Sequence, residues 1–275
     1  MLLTITLLVL IGGLSAIIGS IVGIGGGIII VPTMVYLGVE HGLLHNITTQ
    51  VAIGTSSVIL IVTGLSSSLG YLKTKQVDIK NGSIFLFGLL PGSLLGSFIS
   101  RYLTFESFNL YFGIFLIFVA ILLMVRNKIK PFKIFDKPKY EKTYVDAKGK
   151  TYHYSVPPLF AFITTFLIGI LTGLFGIGGG ALMTPLMLIV FRFSPHVAVG
   201  TSMMMIFFSS VMSSIGHIAQ GHVAWGYAII LIISSYFGAK IGVKVNQSIK
   251  SDTVVTLLRT VMLLMGIYLI IRALI

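Results

Sequence analysis

Cysteine is absent from the 275 residues. That excludes a disulfide framework, a thiolate metal site and a thiol relay. Charge is scarce too: Asp, Glu, Lys and Arg make up 9% of the chain, against roughly 25% in soluble globular domains. Acid is scarcest of all, with seven Asp and Glu against 19 Lys and Arg. Glu40, Asp78, Glu106 and Asp252 all fall in loops or at the ends of apolar runs. Cation pumps and many proton-coupled carriers place carboxylates at depth. Their absence argues against cation transport and against an intramembrane acid–base enzyme.

What is present is apolar. Hydrophobic residues are 56% of the chain, with a mean hydropathy of +1.03. A spanning helix needs ~20 mostly apolar residues. Full-length candidates are 2–22, 47–71, 82–100, 108–125, 157–175, 197–217, 224–243 and 253–274. Two shorter apolar pieces, 28–38 and 181–191, follow glycine runs. The first run lacks the basic flank of a secretory signal, since no Lys or Arg precedes Lys73, so it is read as part of the fold. A net charge of +12 can mark nucleic-acid binding. Here the basic residues sit in short gaps between apolar runs, so no nucleic-acid partner is expected. The expected surroundings are a lipid bilayer.

The chain repeats itself. Gly23-Ile-Gly-Gly-Gly27 with Pro32 recurs as Gly176-Ile-Gly-Gly-Gly180 with Pro185, an offset of 153. Ala52-Ile-Gly-Thr-Ser56 recurs as Ala198-Val-Gly-Thr-Ser202, an offset of 146. The same 146 maps Ser68 onto Ser214, Gly70 onto Gly216, Gly92 onto Gly238 and Gly96 onto Gly242. The expected division is a first transmembrane repeat at 1–125, a basic cytoplasmic linker at 126–156 and a second repeat at 157–275. The linker is too charged to span. Its stretch 144–154 alternates around Lys148-Gly149 and is compatible with a small hairpin, although a solvated loop is the simpler reading. Contact of the linker with anionic headgroups is the functional alternative.

Loop charge orients the repeats, because Lys and Arg near short loops favour the cytoplasm. If the copies are inverted, 16 of the 19 basic residues face inside: the linker set, Lys73, Lys75, Lys80, Arg192, Lys240, Lys244 and Lys250. A parallel arrangement puts only 13 there. The expected fold is therefore an all-α polytopic membrane protein with two inverted repeats. Each repeat is a glycine-broken helical hairpin plus three transmembrane helices, giving eight long helices and two short half-helices. Both termini are expected outside.

The glycine runs are the strongest chemical signal. Backbone out of helix at membrane depth is tolerated only where it is buried or lines a cavity. The half-helix that follows presents free N–H groups and a positive dipole end, which suits an anion. The candidate substrate-binding set is Gly25, Gly26 and Gly27 with Gly178, Gly179 and Gly180. Gln50, Thr55, Ser56, His196, Thr201 and Ser202 are added as donors able to complete an oxyanion shell. Ordinary helix packing by small residues and Ser/Thr hydrogen bonds within the membrane is the competing explanation. Ser66, Ser67, Ser68, Ser209, Ser210, Ser213 and Ser214 read mainly as packing stripes. His217 and His222 fall on a predicted outer loop and are expected to be exposed. Lys240 and Arg259 are expected to snorkel. His196 is the candidate for proton coupling near a predicted site. No catalytic residue, metal site or cofactor is expected.

The duplicated glycine runs with Pro32 and Pro185, and the Ala-x-Gly-Thr-Ser elements at 52–56 and 198–202, resemble the sulfite exporter TauE/SafE family, also known as the toluene sulfonate uptake permeases. The resemblance covers nearly the whole chain apart from the linker. It implies a multi-pass permease of the bacterial cytoplasmic membrane for sulfur-containing anions such as sulfite, sulfoacetate, thiosulfate or organosulfonates. Self-association is left open. An inside-negative potential assists anion exit by ~2.3 kcal/mol per charge per 100 mV, which favours export. A membrane-embedded enzyme and a non-transporting sensor or scaffold are the alternative expectations.

Overall fold

The computed structural model describes residues 2–102, 104–125, 141–145 and 151–274. Its elements are α1 (Leu2–Val22), α2 (Gly27–Val35), α3 (Thr49–Lys73), α4 (Ile79–Ile99), α5 (Phe105–Val125), β1 (Glu141–Val145), β2 (Thr151–Ser155), α6 (Pro158–Phe175), α7 (Gly180–Ile189), α8 (Pro195–Ala219), α9 (Trp225–Ser248) and α10 (Ser251–Leu274). Eight helices are long and apolar enough to cross a membrane. Each lies over one of the eight runs read from the sequence. The two short helices follow the glycine runs, and α2 ends in a π-helical turn, Tyr36–Glu40. Within the linker, β1 pairs antiparallel with β2, from Glu141 opposite Ser155 to Val145 opposite Thr151. The Lys148-Gly149 turn and the basic residues at 126–139 lie outside the described residues.

Helix starts follow local chemistry. The Thr48 side chain accepts from Val51 N (3.2 Å) at the head of α3, and Asp78 Oδ1 accepts from Asn81 N (3.1 Å) at the head of α4. Both satisfy amide groups that have no partner within the helix. Pro158 and Pro195 open α6 and α8, where the missing N–H costs nothing.

The packing fixes the relative directions of six long helices. Gly238 and Gly242 of α9 rest on the carbonyls of Gly13 and Ile17, and Asn246 Nδ2 donates to Ile21 O (2.6 Å), so α1 and α9 run parallel. Gly92 and Gly96 of α4 rest on the carbonyls of Phe166 and Ile170, so α4 and α6 run parallel. These are the same contacts with the halves exchanged. Gly54 of α3 lies against the carbonyl of His222, Ser57 Oγ meets Ser213 Oγ (3.3 Å), and Gly64 packs on Phe207, so α3 and α8 run antiparallel. Ser66 Oγ donates to Tyr236 O and Gln247 Nε2 to Thr74 Oγ1 (both 3.3 Å), which sets α3 parallel to α9. Gly82 lies against Thr201 and Met204, and Gly216 against Ser97, which sets α8 parallel to α4. It follows that α1 and α6, the first helix of each half, point in opposite directions.

Both short helices return toward the start of the helix before them. His45 N donates to Tyr227 Oη (3.0 Å), placing the exit of α2 beside the start of α9 and hence of α1. The rings of Phe160 and Phe191 are 6.2 Å apart, placing the exit of α7 beside the start of α6. One end of the bundle therefore collects Lys73, Lys75, Lys80, Arg192, Lys244 and Lys250, while Arg101 and Arg272 sit at the other. We call these the lysine-rich and lysine-poor faces.

α3 and α8 form the centre. Their hydrophobic windows are 78% and 72% buried, against 33–47% for the other long helices. Only helices enclosed by protein can carry this many hydroxyls without facing hydrocarbon. The outer helices turn apolar side chains such as Phe87, Phe118 and Leu159 outward.

Candidate functional site

Each glycine run breaks the chain through left-handed residues. Gly23, Gly25 and Gly26 have φ of 79°, 79° and 93°, and Gly176, Gly178 and Gly179 have 67°, 71° and 73°. An L side chain is strained there. The run also folds tightly: a Cβ on Gly26 would lie 2.7 Å from Ser15 O, and one on Gly179 would lie 2.9 Å from Thr172 Oγ1. The six predicted glycines thus come together at mid-depth. A Cβ on Gly27 would lie 2.8 Å from Gly176 O, and one on Gly180 would lie 2.6 Å from Gly23 O. The N-terminal ends of α2 and α7 therefore lie close to each other's loop. Neither has a side-chain cap.

The predicted hydroxyls are placed by the same exchange. Ser56 Oγ donates to Gly176 O (2.9 Å), and Ser202 Oγ donates to Gly23 O (2.8 Å). Each half thus braces the glycine run of the other. Thr55 Oγ1 accepts from Ala224 N (3.0 Å), and Thr201 Oγ1 accepts from Asp78 N (2.9 Å). These two clamp the first turn of a helix in the other half, about one and a half turns in from opposite faces. Gln50 and His196 lie further out. Gln50 lines an open cleft of about 420 Å³ on the lysine-poor face, with Thr48, Thr49 and Arg101. His196 Nδ1 sits 3.0 Å from Asn246 Oδ1 near the lysine-rich face. The predicted set is therefore brought together as glycines plus Ser56 and Ser202. Thr55 and Thr201 stand outside that group, and Gln50 and His196 lie nearer the two opposite faces.

Three features were not legible as site residues. Leu60 and Ile206, related by the offset of 146, are fully buried between the two runs. Leu60 Cδ2 would lie 2.9 Å from a Cβ on Gly25, and Ile206 Cγ2 would lie 2.9 Å from one on Gly178. In this conformation the centre is closed by an apolar pair. Thr184 adds a second hydroxyl on Gly23 O (2.8 Å). His217 is the correction. It was expected on an exposed outer loop, but α8 continues to Ala219 and holds it fully buried, with Nε2 3.0 Å from Gly173 O. The offset that pairs Tyr71 with His217 was the available signal: Tyr71 Oη donates to Ser20 O (2.7 Å), the equivalent contact in the other half. His222 is only partly exposed, and burial lowers its imidazole pKa below the usual 6.5. Among the described residues no group of three His, Cys, Asp or Glu could hold a metal ion.

Comparison with known proteins bears on this geometry. A family model described as sulfite exporter TauE/SafE matches residues 8–269. The chain is 43% identical to a probable membrane transporter protein, YunE, of Bacillus subtilis (strain 168), over 96% of each chain. It is 26% identical to a probable membrane transporter protein, MJ0441, of Methanocaldococcus jannaschii, over 98% of this chain and 96% of the other. A stretch covering 33% of the chain is 38% identical to part of sulfite exporter TauE/SafE family protein 2 of Arabidopsis thaliana, covering 19% of that protein. No solved structure matches significantly.

Proposed function

The chain belongs to the sulfite exporter TauE/SafE family of membrane transporters, and from that premise we propose that it moves a small sulfur-containing anion, such as sulfite, thiosulfate or an organosulfonate, across the cytoplasmic membrane by alternating access. The observation that carries this is the pair of uncapped helix N-termini, α2 and α7, whose loops meet at mid-depth. Each such end is worth ~0.3–1 kcal/mol toward an anion when exposed, and up to ~2 when partly buried. The proposed binding set is Gly25, Gly26 and Gly27 with Gly178, Gly179 and Gly180, lined by Ser56 and Ser202. Gln50 and His196 belong to the entrances, and Thr55 and Thr201 hold the frame.

Residues 1–125 and 157–275 act as inverted repeats in this reading. The exchanged contacts support it, because each half makes on the other the contacts it receives. The Leu60–Ile206 pair closes the centre between them. The lysine-rich face lies in the cytoplasm, where short basic loops are retained, and both termini lie outside. Export down the membrane potential needs no coupling ion. Uptake needs one, and a proton is the proposed choice.

Flux into and out of proteoliposomes tests this, with sulfite, thiosulfate and a short alkyl sulfonate against phosphate. The expected result is saturable, anion-selective flux. No flux of any sulfur oxyanion overturns the proposal.

A further inference from the structure

One face of α8 carries hydrogen-bonding groups that the protein itself leaves unsatisfied. Ser210 Oγ, Ser214 Oγ and His217 Nδ1 are buried and have no partner. They stand at i, i+4 and i+7, on one stripe of the helix. Ser210 begins the stripe at the second glycine run, where its Oγ lies 3.1 Å from the position of a Cβ on Gly178. His217 follows one turn from the lysine-poor face, against Gly173 of α6, and beyond it the Oε1 of Gln220 is also buried without a partner. His222 closes the column: its N–H donates to His217 O (2.9 Å), and its own Nδ1 is buried without a partner.

The equivalent stripe of α3 is sealed. The positions are Gly64, which has no hydroxyl, Ser68, whose Oγ donates to its own helix at Leu65 O (3.1 Å), and Tyr71, whose hydroxyl is used on Ser20 O. Helix packing alone does not explain the contrast, because both stripes occupy the same place in exchanged halves. An unsatisfied buried polar atom costs on the order of 1–3 kcal/mol, a cost that a bound hydrogen-bonding partner would relieve. The span from Ser210 to His217 is about 10 Å along the helix, too long for one small oxyanion to bridge. The atoms are therefore successive stations.

We propose that this face of α8 is a conduit for small oxyanions between the second glycine run and the lysine-poor surface, with Ser210 Oγ, Ser214 Oγ and the Nδ1 atoms of His217 and His222 as its hydrogen-bonding stations. The carbonyl of Gly173 requires a proton on His217 Nε2, which leaves Nδ1 as an acceptor. His222 is a second titratable group beside it, and α3, α4 and α6 present Gly54, Ser97 and Gly173 around this turn. The inference rests on the transport reading, but part of its test does not.

The chain has no native cysteine, so Ser214→Cys and its symmetry equivalent Ser68→Cys each give a single reactive site. In sealed vesicles the probe is a small negatively charged methanethiosulfonate. Ser214→Cys is expected to react from the lysine-poor side at least about tenfold faster than Ser68→Cys, and to be slowed by an alkyl sulfonate. Equal rates overturn the conduit whether or not the protein transports. His217→Tyr then copies the contact of Tyr71 and keeps a donor for Gly173 O. It is expected to stay folded and to lose roughly tenfold in flux. Unchanged flux in His217→Tyr also overturns it. Absence of flux in the unmodified protein counts against the proposed function and leaves the labelling contrast to judge the route.

Discussion

Tyr71 and His217 occupy the same place in the two halves and make the same contact with different chemistry. Each donates to the carbonyl of the residue three before its glycine run, Ser20 in one half and Gly173 in the other. Tyr71 uses up its one polar atom in doing so. His217 has a second nitrogen left over. Elsewhere the halves agree closely: Thr55 and Thr201, Ser56 and Ser202, and Gly92 and Gly238 repeat their contacts with roles exchanged. The frame is symmetric, while the linings of the two equivalent helix stripes differ. A symmetric frame permits motion both ways, and the asymmetric lining is where a preferred direction or a pH response can enter.

The comparison can be pressed at several points. The largest effect is expected at the glycine runs. Gly26→Ala meets the fixed backbone oxygen of Ser15, while Gly179→Ala meets the movable hydroxyl of Thr172. Both add left-handed strain of ~1–2 kcal/mol. Gly26→Ala should therefore lower thermal stability and abolish flux, with Gly179→Ala retaining more of each. Equal losses would show that the runs differ less than their surroundings suggest.

Next come the clamps. Thr201→Val strips the acceptor from the buried Asp78 N–H, and Thr55→Val strips it from the half-buried Ala224 N–H. The first should cost ~1–3 kcal/mol in chemical denaturation, and the second less, because water can replace the hydroxyl there. A smaller effect concerns pH. His222 prefers its neutral form when folded, since burial lowers its pKa. Its contribution is present above about pH 6.5 and is lost as the pH falls below that value. Thermal stability of His222→Gln should then fall less than that of the unmodified protein below pH 6.5. The smallest effect is expected at Lys240, exposed with its ammonium 4.1 Å from the Tyr236 ring. Lys240→Gln should change stability by no more than ~1 kcal/mol. Topology is checked separately: a cysteine at 192 should label from the cytoplasm, and one at 220 from outside.

Much of this fold was readable because membrane helices announce themselves by length and composition. The breaks at Gly23–Gly27 and Gly176–Gly180 were readable because only glycine takes those angles cheaply. The offset identified which residues are equivalent in the two halves. What could not be read was depth and facing. Thr55 and Ser56 are adjacent in sequence, yet one hydroxyl clamps the head of α9 and the other braces a glycine carbonyl at the centre. Leu60 and Ile206 carry no chemistry and were silent among dozens of similar residues. His217 was misplaced because α8 extends about a turn beyond the most apolar stretch, and a polar residue in that turn reads as loop.

The brace between Ser202 and Gly23 has a consequence for how the protein is made. The first hairpin leaves the ribosome long before residue 202 is synthesised. Until then Gly23 O lacks both hydroxyls that satisfy it, Thr184 and Ser202, and Gly176 O in turn depends on Ser56 from the earlier half. Neither half can complete its own centre. The two should accumulate stably only when both are present, even as separate polypeptides.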